Sequence, residues 1–229
     1  MLQKEITISD KIYDVCPEFS MAAIACEVTN SPFHEKLWKE ITTFSAFLAS
    51  SCKMEEIKRR PAIHATREVY KKLGKDPNRY RPSGEALCRR ILKSQPLYQI
   101  NTAVDLINLV SLKTGYSIGG FDAAKIEGNL TLGVGEYGEK FEAIGRGILN
   151  IEGLPVYRDA TSGIGTPTSD EERTKITSDT TDLMMLINGY SGHDGLPEAA
   201  EYAVDLLRKY TKAENINIRF FGTILRQKD

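Results

Sequence analysis

A short, largely apolar segment with three polar side chains at helical spacing most strongly constrains how this chain can fold. Asn101, Asp105 and Asn108 lie at positions i, i+4 and i+7 of the run from Ile100 to Leu112. On a helix these positions share one face. Because a buried polar group lowers stability unless it is hydrogen-bonded, the stripe is predicted either to brace a neighbouring loop or to line a binding site.

The same segment continues into a glycine-rich turn and a second short motif. The turn reads Gly119-Gly120-Phe121-Asp122, and the motif reads Lys125-Ile126-Glu127-Gly128. Together with the helix they form the pattern I-N-x-x-V-D-x-x-N-x-x-x-L-x-x-G, followed by F-D and K-I-E-G. This pattern resembles the editing domain of the phenylalanyl-tRNA synthetase beta subunit, its third and fourth structural domains, and free-standing bacterial relatives of it. The general layout extends the resemblance to residues 80–190.

The order of the predicted elements favours an α+β fold with helices packed on a central mixed sheet, which the resemblance also implies. Alternation predicts a strand at Ile6 and Ile8, and a continuous apolar run predicts a buried strand over Met21–Val28. The motif helix is predicted to end near Gly115. The other predicted elements are helices opening at Ser31-Pro32, Ala62, Ser83 and Pro197, and strands over Asn129–Val134, Phe141–Ile144, Leu154–Tyr157, Leu183–Ile187 and Ile216–Leu225.

The length of 229 residues suits one domain with three parts. Residues 1–98 hold the first strands and a basic helical part, residues 99–190 the motif-bearing core, and residues 191–229 a last helix and strand. The N-terminus has no signal-peptide pattern, and no apolar run approaches the roughly 18 residues of a membrane span. A cytoplasmic protein without membrane contact is therefore predicted. The sequence does not indicate its oligomeric state.

A basic segment lies between Lys53 and Lys93. It holds thirteen lysines and arginines against five acids, a balance of +8 in a chain whose net charge is −1. Such a segment could face RNA phosphates, or it could simply be a set of solvated helix faces. The candidate RNA contacts are Arg59, Arg60, Lys71, Lys72 and Arg81. Ser83 is separately predicted to be the N-cap of the helix that follows Arg81 and Pro82.

A loop rich in glycine, serine and threonine, from Thr161 to Ser169, is predicted to contribute to a pocket, since glycines permit close approach to a ligand. Ser169 and Glu172 have the spacing of a capping box, so a helical turn is predicted there. Ordinary turn chemistry is the alternative interpretation of the hydroxyl side chains. In free-standing relatives a run like S-D-x-x-R-T occupies a similar place.

The resemblance implies a pocket that combines the motif helix, the turn, this loop and a late strand. The family commonly has a histidine three residues before the F-D aspartate and a substrate-recognising glutamate near the end of the late strand. Gly119 occupies the first position here, and Asn188 is the polar residue nearest the second. The candidate substrate-binding residues are Asn101, Asp105, Asn108, Gly119, Asp122, Gly163, Gly165, Ser169, Thr177 and Asn188.

Other chemistries have weaker support. The four cysteines form no C-x-x-C pair and the three histidines are scattered, so no metal site or cofactor is predicted. Phosphate-binding and nucleophile-elbow glycine motifs are absent from the sequence. Asp105 and Asp122 are predicted to accept backbone hydrogen bonds and to cap the turn before Lys125, rather than to act as a catalytic pair.

Three functions remain open at this stage. The first is a tRNA-binding, aminoacyl-tRNA editing-like protein that hydrolyses a mischarged ester in trans, through a positioned water. The second is a non-catalytic module that binds RNA or an amino acid on the same fold, which the residues at positions 119 and 188 favour. The third is a small-molecule enzyme that reuses the pocket. No catalytic residue is assigned, and the predicted partner is tRNA or its aminoacylated end, with an amino acid as a further ligand.

Overall fold

The computed structural model describes residues 4–222, which form seven α-helices and ten strands within that range. The helices are α1 (Asp10–Val15), α2 (Glu35–Ser51), α3 (Met54–Ile57), α4 (Pro61–Lys72), α5 (Ser83–Leu92), α6 (Thr102–Thr114) and α7 (Leu196–Thr211). The strands are β1 (Ile6–Ile8), β2 (Ser20–Glu27), β3 (Ser117–Asp122), β4 (Leu130–Val134), β5 (Glu142–Ala143), β6 (Gly147–Ile148), β7 (Pro155–Arg158), β8 (Gly163–Gly165), β9 (Asp182–Gly189) and β10 (Glu214–Gly222).

The strands form two four-stranded sheets and a small hairpin. The first sheet has the order β1-β4-β7-β8, with β1 parallel to β4 and the other pairs antiparallel. The second sheet has the order β10-β2-β9-β3 and is antiparallel throughout. Strands β5 and β6 pair with each other. The predicted α+β class with helices and mixed sheets is confirmed.

The second sheet is buried on both faces, and this explains the continuous apolar run of β9. Leu183, Met185 and Ile187 pack with α6 and α7 on one face. Met184 and Leu186 alternate with them and pack toward the first sheet. A strand covered on both sides needs apolar residues at every position, rather than at every second one.

Local capping explains where the motif helix begins and why it ends at the predicted residue. The Asn101 side chain accepts a hydrogen bond from the Val104 amide at 3.0 Å, which satisfies one of the free amides at the start of α6. The helix ends where Gly115 adopts φ +85°, a conformation that glycine takes without a Cβ clash.

Two predicted helix starts and one predicted helix cap are wrong, although α5 does begin at Ser83 as predicted. α2 begins at Glu35 and not at Ser31-Pro32, because the Ser31 hydroxyl contacts Thr102 Oγ1 at 2.7 Å and ties this stretch to α6. Ser83 is the first residue of α5 and not its N-cap; Pro82 is the cap residue, and no side chain caps this helix. No helix begins at Ser169, because Asp170 and Glu171 form β-bridges on either side of the extended segment.

Two regions of predicted turn or loop are strands. The turn that ends in F-D is the edge strand β3, paired with β9, and the glycine-rich loop contains β8. Short helices α1 and α3 were not predicted. The last predicted strand is present as β10, but its predicted end at Leu225 lies outside the described residues. Within residues 4–222, no helix is long and apolar enough to cross a membrane.

Candidate functional site

The predicted pocket residues separate into two groups on opposite faces of the second sheet. The helix-side cluster consists of Asn30, Asn101, Asp105, Asp122, Thr177 and Thr180, beside α2 and α6. The interlayer cluster consists of Ser117, Gly119, Phe121, Tyr157, Gly165, Asp170, Asn188 and Tyr190, between the two sheets. The sequence prediction of one continuous pocket is therefore corrected, since successive residues of β3 point to opposite faces.

Asn101 is the centre of the first half of the helix-side cluster. Its Oδ1 accepts from Val104 N and also from Asn30 Nδ2 at 3.1 Å. The same Asn30 amide donates to the Thr177 carbonyl at 2.8 Å. These contacts join α6 to the segment before β9, and the Asn101 Nδ2 also donates to the Ile176 carbonyl at 3.4 Å. Both ends of the Asn101 side-chain amide are thus engaged within the protein.

Asp105 braces the start of α6, in line with the structural interpretation of the polar stripe. Its carboxylate accepts from the Trp38 indole at 2.7 Å and from the Ile100 amide at 3.1 Å. Burial raises the pKa of Asp105, and these two donors act in the opposite direction. Asn108, one turn further along α6, is partly exposed.

Asp122 completes the helix-side cluster. Its side chain accepts from the Ala124 amide at 3.2 Å and from the Thr180 hydroxyl at 2.9 Å, so it caps the turn that leads to Lys125 as expected. The Lys125 ammonium lies 3.3 Å from the same carboxylate. The Thr180 hydroxyl in turn accepts from the Thr177 amide at 2.9 Å.

Asn188 is buried in the interlayer cluster at the end of β9. Its Oδ1 accepts from the Tyr157 hydroxyl at 2.6 Å, and its Nδ2 donates to the Ser117 carbonyl at 2.9 Å. Burial raises the pKa of the Tyr157 hydroxyl well above its ordinary value. The amide therefore links both sheets through a neutral tyrosine.

Two hydroxyl groups of this cluster have no hydrogen-bond partner among the described residues. They are the Ser117 Oγ and the Tyr190 Oη, both on buried side chains. Ser117 is the register partner of Asn188, and Tyr190 follows two residues after it. Buried polar groups without partners are uncommon and costly, so they indicate where a polar ligand could bind.

Asp170 lies at the edge of β3, beside Gly119. Its Oδ2 accepts from the Gly120 amide at 3.2 Å. Burial raises the pKa of Asp170 to about 7, and the Gly120 hydrogen bond opposes this rise. Asp170 as a whole residue is partly exposed, but its carboxyl group is buried beside Gly119, Gly120 and Gly165 at the edge of the interlayer cluster.

The glycines of this region make room for the protein's own side chains, which accounts for them without a ligand. A Cβ at Gly165 would lie 2.6 Å from the Phe121 ring and 2.8 Å from Asp170 Oδ1. A Cβ at Gly119 would lie 2.8 Å from the same ring, and one at Gly163 would lie 3.2 Å from Val156. The Ser169 amide donates to the Thr166 hydroxyl at 3.0 Å, which is ordinary turn chemistry.

Comparison with known proteins agrees with this architecture. The sequence model of the B3/4 domain family matches residues 65–212, more than half of the chain. The chain belongs to the B3/4 domain family. This family is found in the phenylalanyl-tRNA synthetase beta subunit, so the resemblance predicted from the motif is confirmed at the level of the family.

A solved structure shares the fold of this B3/4 protein. It is an N-terminal fragment of the phenylalanyl-tRNA synthetase beta subunit from Pyrococcus horikoshii, with a TM-score of 0.53 and 16% sequence identity. The alignment covers 95% of the present chain and 51% of that one, so this chain spans about half the length of the fragment. No curated protein sequence gives a significant match.

Several basic side chains of the B3/4 protein are directed into the fold. Arg60 donates to the carbonyls of Leu112 and Lys113 at 2.8 and 2.7 Å, and so caps the end of α6. Its guanidinium donors serve the helix end, so this structure gives no support to the predicted RNA contact at Arg60. Lys72 donates to the Val15 carbonyl at 2.7 Å.

A buried carboxylate accounts for other positive charges of the segment. Glu85 is fully buried and lies 2.9 Å from Arg67, 2.7 Å from Arg89 and 3.7 Å from Arg81. Of the five candidate RNA contacts, Arg59 and Lys71 are the two that are exposed without an acceptor from another element, although Lys71 pairs with Glu68 at 2.6 Å.

Sequence reasoning did not identify Asp170, Tyr157, Ser117 or Tyr190 as site residues. Asp170 had a signal, the S-D-x-x-R-T-like run, which was interpreted as a helix cap. The other three have no local signature, since they meet only when the sheets pack. Among the described residues, no group of three histidine, cysteine, aspartate or glutamate side chains is arranged to hold a metal ion.

Proposed function

We propose that this B3/4 protein binds the aminoacylated end of a tRNA and hydrolyses the ester of a mischarged amino acid. The observation that carries the proposal is the Asp170 carboxyl, which has a pKa of about 7 and lies at the edge of a partly unsatisfied polar cluster. Membership of a family found in the phenylalanyl-tRNA synthetase beta subunit supports the choice of substrate.

In this proposal Asp170 is the general base. Its ionised carboxylate accepts a proton from a water molecule as that water attacks the ester carbonyl carbon. The bond to the tRNA ribose oxygen then breaks, and the protonated Asp170 returns the proton to that oxygen. A base with a pKa near the working pH combines a useful ionised fraction with basicity, and such catalysis contributes about 100- to 10,000-fold. The Gly120 amide holds the carboxylate in place.

The same proposal gives the interlayer cluster the role of recognising the amino acid. Ser117 Oγ and Tyr190 Oη can hydrogen-bond a polar group, and Asn188 with Tyr157 lies beside them. A site with buried polar groups discriminates strongly against ligands that leave them unpaired. A polar side chain on the amino acid is therefore preferred over an apolar one of the same shape. Arg59 and Lys71, with Lys72 and Arg81 beside them, are proposed to contact the phosphates of the bound tRNA.

A non-catalytic binding module is the second candidate. The observation that favours it is the Asn188 amide, whose oxygen and nitrogen are both engaged by Tyr157 and Ser117. A side chain held in this way supports the packing of two sheets without any ligand. In that case RNA or an amino acid would bind, and the aminoacyl ester would not be hydrolysed.

The test is deacylation of a panel of mischarged tRNAs by the wild-type protein, by Asp170→Asn and by Asp179→Asn. Asp179 is an exposed aspartate in the same stretch of chain and serves as the matched control. We expect release by the wild type and by Asp179→Asn, with a loss of about 100- to 10,000-fold in Asp170→Asn.

Two other results would contradict the proposed mechanism. Equal release by all three proteins would remove Asp170 from the mechanism. No release, with binding of the same tRNAs that weakens as salt is added, would select the binding module.

A further inference from the structure

A groove between α2, α6 and α7 has a chemical character that neither polar cluster explains. Its volume is about 590 Å³, and it is lined by lysines, aromatic rings and a single carboxylate. The lysines are Lys36, Lys39, Lys113 and Lys209, and the carboxylate is Glu40. The lining therefore has a balance of +3 in a chain whose net charge is −1.

Glu40 holds the floor of the groove together. Its carboxylate accepts from the hydroxyls of Tyr202 and Tyr210 at 3.2 and 2.8 Å. The ammonium groups of Lys113 and Lys209 each lie 3.3 Å from it. These donors hold the pKa of Glu40 below its ordinary value against the opposing effect of burial. The carboxylate thus stays ionised and fixes two lysines in the groove.

The remaining lining is open to a partner. Lys36 and Lys39 are exposed on α2, one turn apart, and neither belongs to an ion pair in the described part of the chain. Phe47, two turns further along α2, is 62% exposed, with its ring centroid 6.1 Å from that of Phe44. An exposed ring of this size beside fixed positive charge is the arrangement that single-stranded nucleic acids use, with phosphates on cations and bases on aromatic faces.

We propose that this groove binds single-stranded RNA, with phosphates at Lys36 and Lys39 and a base stacked on Phe47. The inference rests on the proposed RNA recognition and adds a surface to it, on a different part of the fold from Arg59 and Lys71. An acidic peptide has charge but no base to stack, so Phe47 favours RNA as the occupant.

The probe is a ten-nucleotide all-uridine RNA with a fluorescent label, and the measurement is its fluorescence anisotropy as a function of protein and salt concentration. We expect Lys36→Ala/Lys39→Ala to weaken binding at least tenfold and to reduce the slope of log affinity against log salt by about 1.4, or about 0.7 per lost phosphate contact. Phe47→Ala should weaken binding about tenfold and leave that slope unchanged, since it removes stacking only.

The matched control is Lys140→Ala/Arg146→Ala, which removes two exposed positive charges that lie outside both the groove and the basic segment. It should bind the oligonucleotide like the wild type, and melting temperatures of all variants should agree. If this control lost affinity for the oligonucleotide and the groove variants did not, the groove assignment would be overturned, and the proposed hydrolysis would not be affected. The groove assignment would also be overturned if a ten-residue polyglutamate competed with the RNA and bound with equal affinity. That result would favour an acidic protein as the partner.

The deacylation assay separates this inference from the proposed function. Oligonucleotide binding that depends on Lys36, Lys39 and Phe47 in a protein that releases no amino acid would support the groove and contradict hydrolysis. A wild-type protein that binds no oligonucleotide contradicts the groove whatever its deacylation rate.

Discussion

The two polar clusters lie on opposite faces of the same sheet and differ in how completely their hydrogen bonds are satisfied. In the helix-side cluster, Asn101, Asp105 and Asp122 each accept two hydrogen bonds from described residues. In the interlayer cluster, Ser117 and Tyr190 have hydroxyls without a described partner, and Asp170 has a pKa of about 7. The first arrangement holds the fold together, and the second is where we propose that the substrate binds and reacts.

The comparison separates two uses of polar residues that look alike in a sequence. A satisfied buried carboxylate such as Asp105 stabilises its surroundings, because removing it would leave the Trp38 and Ile100 donors without an acceptor. An unsatisfied group lowers stability unless something else binds it. Function is therefore expected where the hydrogen bonding is incomplete.

The largest expected effect is on the pH dependence of hydrolysis. Because the ionised form of Asp170 is the base and its pKa is about 7, the rate should rise with pH below 7 and level off above it. Between pH 5 and pH 8 the rise should be about 100-fold, as for a single ionisation. A rate profile measured with one mischarged tRNA checks this, and a flat profile across that range would contradict it.

The next effect is on stability. Asp105→Ala should lower the free energy of unfolding by roughly 1–3 kcal/mol, because it leaves the partly buried donors of Trp38 and Ile100 without their acceptor. Urea denaturation measures it. The folded fraction should deacylate at the wild-type rate, and an unchanged midpoint with lost activity would move Asp105 into the functional site.

A smaller effect is expected at the start of α6. Asn101→Ala should cost about 1 kcal/mol through the lost N-cap, while Asn101→Ser should retain most of the stability. The same denaturation experiment compares them. If both variants lost the same free energy of unfolding, the contact with Asn30 and not the N-cap would be the source of the stability.

A separate effect concerns how the stability contributed by Asp170 depends on pH. Its pKa is raised on folding, from about 4 to about 7, so the folded state holds the proton more tightly between these values. Stability should therefore fall as pH rises from 4 to 7 through this group, and the fall should be absent in Asp170→Asn. The difference in melting temperature between the two proteins, followed over this range, measures it.

Local patterns predicted the parts of the fold that depend on neighbours in sequence. The end of α6 follows from Gly115, and the buried strands β2 and β9 follow from their apolar runs. The family motif was likewise sufficient to indicate the α+β class. These features need only the residues within a few positions of one another.

Contacts between distant residues could not be predicted in the same way. Arg60 looked like a surface charge because its acceptors lie 52 and 53 positions away, at the end of α6. The two faces of β3 were merged into one pocket because the segment was taken as a turn, and strand pairing with β9 decides which way each residue points. Asp170 was visible in a motif, but its raised pKa depends on burial beside Phe121.

The most direct test of the account measures deacylation per folded molecule and urea stability for two variants side by side, Asp170→Asn and Asp105→Ala. We expect Asp170→Asn to be at least as stable as the wild type and to lose hydrolysis, while Asp105→Ala loses stability and keeps hydrolysis in the molecules that remain folded. The opposite pattern, with activity lost at Asp105 and only stability changed at Asp170, would contradict the assignment of function to the interlayer cluster.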